Sequence, residues 1–245
     1  SSVATAASRS PSAAPTASGG AAPRRAAQPY REMDYGPFLS ASLETARGDL
    51  ANKGIAIRLD AGAGGVAEGS AFVVFDTDLL RYAAGWTGRG FIDWKGIAFD
   101  GQHGVHASIV GQRVFTSPLA PGWARPGNGS FDDPRLRGLD RNPYGPLPRS
   151  WAQYRGLYVR GNDVVLSYTV GDAAILEHPG LEPLGASTAF TRTLAIGKSS
   201  TDLTLEVCQG DHASVAILSR ESLSATDTLP GALHTLAALT PEKSS

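Results

Sequence analysis

The chain holds one cysteine, Cys208, and one methionine among 245 residues, and only 18% of them are charged and 8% aromatic. A lone cysteine excludes an internal disulfide, a cysteine-based zinc cluster and a C-x-x-C-H haem attachment within these residues. The formal net charge is −1 at pH 7, so no basic field is present to hold a polyanion and nucleic acid is not an expected partner. Long apolar runs are missing too: no stretch approaches the roughly 18 residues that cross a bilayer as a helix, and no membrane span is expected. Nor is there a G-x-S-x-G nucleophile elbow. The glycine-rich segment Ala61 to Gly69 lacks the lysine and helix signal of a phosphate loop, and reads as a turn between strands.

What is present is a chain long enough to bury a core, with 42% hydrophobic residues. Residues 1–29, rich in Ala, Ser, Pro and Gly, offer little apolar surface to offset the entropy of ordering and read as a linker. Residues 30–220 carry the patterned sequence, and 221–245 are weakly patterned, as expected either of a segment leading to a further domain in a longer protein or of an ordinary mobile terminus.

Between the tails the period is two. Ile55, Ile57 and Leu59 alternate with Ala56, Arg58 and Asp60, and Val164, Leu166, Tyr168 and Val170 alternate with more polar neighbours, the pattern of half-buried strands. Arg160-Gly161-Asn162-Asp163 separates Leu157-Tyr158-Val159 from the second run, and Gly-Asn tolerates the positive φ of a tight hairpin. Leu194 and Ile196, then Gly197 to Ser200, then Leu203, Leu205 and Val207 repeat that logic and predict another hairpin. Helix is confined to one candidate, Asp76 to Ala84, with an aspartate to cap it and Gly85 to stop it. From Ser117 to Ser150 prolines and glycines are too frequent for a ladder, and Trp123, Phe131 and Tyr144 predict that this excursion wraps against a rigid body. The fold class is therefore all-β: a mainly antiparallel β-sandwich with a long Pro/Gly-rich loop and little helix.

The phrases MDYGPFLSASL, KGIAIRLD, AFVVFDTDLLRYAAGWTG, GFIDWKGIAFDGQHGVH and PYGPLPRSWAQYRGLYVRGNDVVLSYTVG, from about Met33 to Cys208, resemble an uncharacterised bacterial domain family. That domain occurs near the N-terminus of large exported proteins that also carry sugar-dehydrogenase-like β-propeller and c-type cytochrome domains. The resemblance implies an exported, periplasmic or extracellular setting, with downstream β-propeller and cytochrome c domains as partners. It assigns no catalytic residue.

Candidate chemistry concentrates between Phe72 and Phe115. Asp76 and Asp78, two apart, could supply oxygens to calcium, cap a helix, or pair with Arg81. With Asp93 or Asp100 across a cleft they could form a glycosidase pair. His103 and His106 near Asp100 could hold zinc or another divalent metal, although the spacing matches no established motif. Val105, Ala107 and Ile109 are expected to face the core, turning His106 to the wetter side. No cofactor is expected in this chain beyond calcium or another divalent metal on Asp76, Asp78, Asp100, His103 and His106. Cys208 reads as a small packed residue. Exposed aromatics beside polar groups are the usual recipe for gripping a sugar. Accordingly Trp86, Asp93, Trp94, His103, Trp123, Arg125, Tyr144 and Arg149 form a candidate glycan site where the segment up to Phe115 meets the excursion, although the same rings could plug the core. The expected function is a non-catalytic ligand-binding or docking domain of an exported protein linked to carbohydrate oxidation or electron transfer. A metal-dependent or carboxylate-based enzyme acting on carbohydrate is the alternative.

Overall fold

A computed structural model describes residues 35–60, 70–88, 92–94, 97, 105–184, 187–208 and 236–239. These residues contain strands and no helix. None is therefore part of a helix long and apolar enough to cross a membrane. Residues 1–29, the Ala61 to Gly69 segment, and most of 221–245 lie outside the described residues.

A seven-stranded sheet is formed by β1 (Phe38–Ala46), β2 (Asp49–Arg58), β3 (Ala71–Asp76), β4 (Arg81–Thr87), β5 (Ile92–Asp93), β6 (Ala107–Ile109) and β7 (Gln112–Thr116), in the order β5-β6-β1-β2-β3-β4-β7. Its pairings are antiparallel except β1 with β6. The second sheet holds β8 (Ala152–Arg160), β9 (Asp163–Val170), β10 (Ala173–Leu184) and β11 (Ser187–Ile196), in the order β11-β10-β9-β8. A short pair joins β12 (Leu203–Glu206) to β13 (Leu236–Leu239).

Alternation along β2 and β3 builds two cores. Ile55, Ile57, Val73 and Phe75 face the second sheet and pack with Val164, Leu166, Tyr168, Val170 and Ile175. This is the sandwich core. Ala56, Phe72 and Val74 turn to the opposite face and pack with Trp86, Ile92, Trp94 and Ala107. Every residue of β3 is therefore buried.

The Gly-Asn hairpin forms as the sequence predicts: Arg160 pairs with Asp163 across Gly161 and Asn162, and Gly161 takes φ +61. Two other expectations are corrected. Asp76 to Ala84 is not a helix but the end of β3, a turn over 77–80 and the start of β4, because both flanking runs are buried on two faces and gain more by pairing than by coiling. The segments around Leu194 and Leu205 do not form a hairpin with one another. β11 pairs with β10, and β12 pairs with β13 while Leu205 bridges Trp123.

Candidate functional site

The acids at the tip of the β3–β4 hairpin are locked. Asp76 is 1% exposed and Asp78 3%. The Asp76 carboxylate accepts the Asp78 backbone N–H at 3.0 Å and the Arg81 Nε–H at 3.4 Å. Arg81 also donates to both oxygens of Asp49 and to the carbonyls of Ser117 (2.7 Å) and Pro118 (2.9 Å). One guanidinium thus ties β2, β3 and the start of the excursion together, the use that its planar fork suits. Burial pushes the Asp76 carboxyl above its ordinary range, and the Arg81 charge opposes that. The excursion closes over this tip: Gly122 donates its N–H to Leu79 O at 2.9 Å and Leu147 to Asp78 O at 3.0 Å. A Cβ on Gly122 would sit 2.2 Å from Leu80 O, which is why a glycine stands there.

The tryptophans are core. Trp86 is fully buried and stacks on Phe72 at 5.3 Å, and Trp94 is 7% exposed with its ring 5.8 Å from Tyr35. Trp123, also fully buried, lies 6.3 Å from Tyr168, and its carbonyl accepts the Trp151 Nε1–H. Trp86 and Trp94 belong to one face of the large sheet and Trp123 to the other. The rings therefore neither converge nor offer a stacking surface. Arg125, Tyr144 and Arg149 are exposed on the excursion. The Tyr144 hydroxyl donates to Asp140 at 2.6 Å within its own loop. Asp93 is half-buried, whereas Asp100 and His103 lie outside the described residues. His106 is half-buried just before β6, and Val105, placed on the core face by alternation, is 51% exposed because the strand begins only at Ala107. Among the described residues, no three His, Cys, Asp or Glu side chains form a group that could hold a metal.

A second polar cluster, unforeseen in the sequence, sits inside the sandwich. Glu177 is fully buried on β10, accepts the Tyr168 phenol at 2.6 Å and the Arg192 Nε–H at 2.5 Å. The Arg192 guanidinium lies 4.5 Å from the Tyr82 ring centre and donates to the carbonyls of Glu206 and Val207, tying β11 to β12. Burial pulls the Arg192 guanidinium down, but the Glu177 charge outweighs it and holds the group above its ordinary range. Burial, reinforced by Glu177, raises the Tyr168 and Tyr82 phenols well above theirs. Burial also raises the Cys208 thiol, which makes it a poor nucleophile.

An open site lies along the seam between the sheets. A cleft of about 360 Å³ is lined by Ser40, Ser42, Asn52, Lys53, Thr77 and Tyr154, with Ala41, Gly54, Ile55 and Leu157 completing its walls. β1 and β2 supply the floor and β8 one wall. Ser40 pairs with Ile55 and Phe38 with Ile57, so Ser40 shares the inner face of the large sheet, and that face turns polar where it runs beyond β8. The Ser42 hydroxyl donates to Asn52 O at 2.8 Å and Thr77 to Lys53 O at 3.0 Å, leaving their oxygens as acceptors. Lys53, its side chain 62% exposed, pairs with buried Asp78 at 3.2 Å. The sequence signal was the phrase FLSASL, in which serines replace apolar residues on a face that Phe38 begins. Reading it required knowing where the opposing sheet ends.

The described residues form an all-β domain whose most buried charge pairs are internal and whose open seam is a largely apolar surface edged by hydroxyls, the Asn52 amide and Lys53. Within it, residues 73–177 match the family model described as a domain of unknown function, DUF6797. The match runs from the middle of β3, through the locked tip, the excursion and the β8–β9 hairpin, to Glu177. Comparison with curated proteins finds no match, and comparison with solved structures finds none.

Proposed function

We propose that this chain is a non-catalytic accessory domain that binds or docks through the seam cleft, within an exported bacterial protein linked to carbohydrate oxidation or electron transfer. The export and the oxidative context rest on the family resemblance of the sequence alone. The observation that carries the binding reading is the division of labour among polar groups. Asp76 and Asp78, which an enzyme would need free, are buried and engaged by Arg81, Lys53 and backbone, while the neutral Ser40, Ser42, Asn52 and Thr77 line the open cleft. These hydroxyls and the Asn52 amide exchange hydrogen bonds with a polar ligand, and Ala41, Ile55, Tyr154 and Leu157 give that ligand an apolar wall.

Calorimetric titration of the purified chain with neutral oligosaccharides and with extended peptides checks this reading, using Ser40→Trp to fill the mouth of the cleft from an exposed position. Binding that disappears in Ser40→Trp at an unchanged melting temperature is the expected result. Binding indifferent to Ser40→Trp moves the site elsewhere. Turnover of a carbohydrate that is lost in Asp78→Asn would replace binding by catalysis.

A further inference from the structure

We infer that the occupant of the cleft is an extended polypeptide segment, which adds to β8 as a fifth strand of the small sheet; this rests on reading the cleft as the binding site and names what fills it. β8 is the edge of the order β11-β10-β9-β8, and among the described residues it pairs only with β9. The pair that closes a two-residue hairpin exchanges hydrogen bonds, and hydrogen-bonded pairs then alternate along an antiparallel ladder. From Arg160↔Asp163, the next such pair is Tyr158↔Val165. Val159 falls between these pairs and Leu157 beyond Tyr158, both at non-hydrogen-bonded positions, so their N–H and C=O groups point away from β9, toward the open edge. A row of unpaired donors and acceptors of this kind is a template for a further strand.

The surroundings narrow the partner. A strand laid on this edge would cover the inner-face strip of Ser40, Ser42 and Lys53 that the small sheet leaves open. Arg155 and Arg160 are exposed on β8 itself, whereas Lys53 on the floor is already paired with Asp78, so the two arginines give the edge its positive charge and complement an acidic segment. A register shift between Tyr154 and Gly156 interrupts the ladder, with Gly156 at φ +147. Bulges of this kind keep edges from indiscriminate pairing, and this one confines docking to the short run from Leu157 to Arg160. The partner is therefore an acidic, β-prone segment with small polar residues facing the serines, held weakly and reversibly.

The test uses a blocked eight-residue peptide that alternates threonine and valine and carries two aspartates, and the same peptide N-methylated at alternate amides so that it cannot complete a ladder. Nuclear magnetic resonance follows the backbone amides of the full chain during titration. The expected result is saturation at or below about 1 mM peptide, the affinity of a weak dock, with amide exchange slowed at Leu157 and Val159. Binding should weaken at least about tenfold for the N-methylated form, and also in Arg160→Gln. Equal binding of the two peptides, no slowing at Leu157 and Val159, or no binding at that concentration overturns the inference. If a neutral oligosaccharide instead binds and Ser40→Trp abolishes that binding, the cleft reading stands without a strand. If Ser40→Trp changes no binding at all, the cleft reading falls as well.

Discussion

Two hairpins of this domain have opposite fates. The β3–β4 turn, Thr77-Asp78-Leu79-Leu80, is buried from end to end, capped by the excursion and stitched by Arg81. The β8–β9 turn, Gly161-Asn162, stands in solvent with nothing near the place a Gly161 Cβ would occupy. Both tips display polar residues that a functional reading would seize on. The acids of the first hold the fold together, whereas the plain edge beside the second borders the open cleft. A carboxylate's neighbours decide its role, and Asp76 and Asp78 have theirs already assigned.

The largest effects should follow from breaking the buried tip. Arg81→Ala leaves Asp76 and Asp49 without their guanidinium, and truncating one partner of a buried pair typically costs about 3–5 kcal/mol. Trp123→Ala removes the ring that packs on Tyr168 and should cost about 3–5 kcal/mol as well. Urea unfolding of both variants should show midpoints far below the parent. A fold little changed by Trp123→Ala would return that ring to the ligand-platform role. Next comes Gly122→Ala, whose methyl meets the Leu80 carbonyl at 2.2 Å; because backbone must move, a loss of about 1–3 kcal/mol is expected.

The same contrast explains what the sequence could reveal. The β8–β9 hairpin was legible because one face of each strand is wetter than the other and Gly-Asn marks the turn. β3 was not, because FVVFD is buried on both faces and a continuous apolar run has no period to read; the acids after it then resembled a helix cap. The ion pair of Asp76 with Arg81 was a foreseeable alternative, five residues apart across a turn. Glu177 with Arg192 was not, since β10 and β11 meet in a register that only the folded sheet sets. The tryptophans were identifiable as important, but no sequence pattern says on which side of a sheet a ring will lie.

An intermediate effect sharpens the comparison inside the sandwich. Tyr168→Phe keeps the ring and removes the phenol that Glu177 accepts, costing about 1–3 kcal/mol. Because burial raises the Tyr168 phenol well above 10.0, the folded chain keeps a proton that the unfolded chain releases. Stability is therefore fully present below pH 10.0 and falls as pH rises past it. Urea midpoints followed into alkali should drop steeply for the parent and less for Tyr168→Phe, with Tyr82 sustaining the remainder. The opposite limb belongs to Asp133: burial raises its carboxyl, but the hydrogen bonds and charge of Arg135 outweigh this and hold it below 3.8. That contribution is present above pH 3.8 and is lost as pH falls through the lowered value. Asp133→Asn should flatten the acid limb alone.

The smallest effect belongs to the exposed tip. Gly161 sits at φ +61, where an L side chain is strained, but its Cβ would meet no atom within 4 Å. Gly161→Ala therefore incurs only the backbone term, about 1–2 kcal/mol for the left-handed region, and Gly161→Asn should recover much of it because asparagine tolerates that conformation. At Gly122, by contrast, no such rescue is available, since any side chain collides with the Leu80 carbonyl. Melting temperatures of the four variants, Ala and Asn at each glycine, separate the cases. Asparagine should outperform alanine at Gly161 and fall below it at Gly122. If Gly161→Ala proved the costlier of the two alanines, the β8–β9 tip would be under a constraint absent from the free turn, and the view of that hairpin as the open half of the domain would fail.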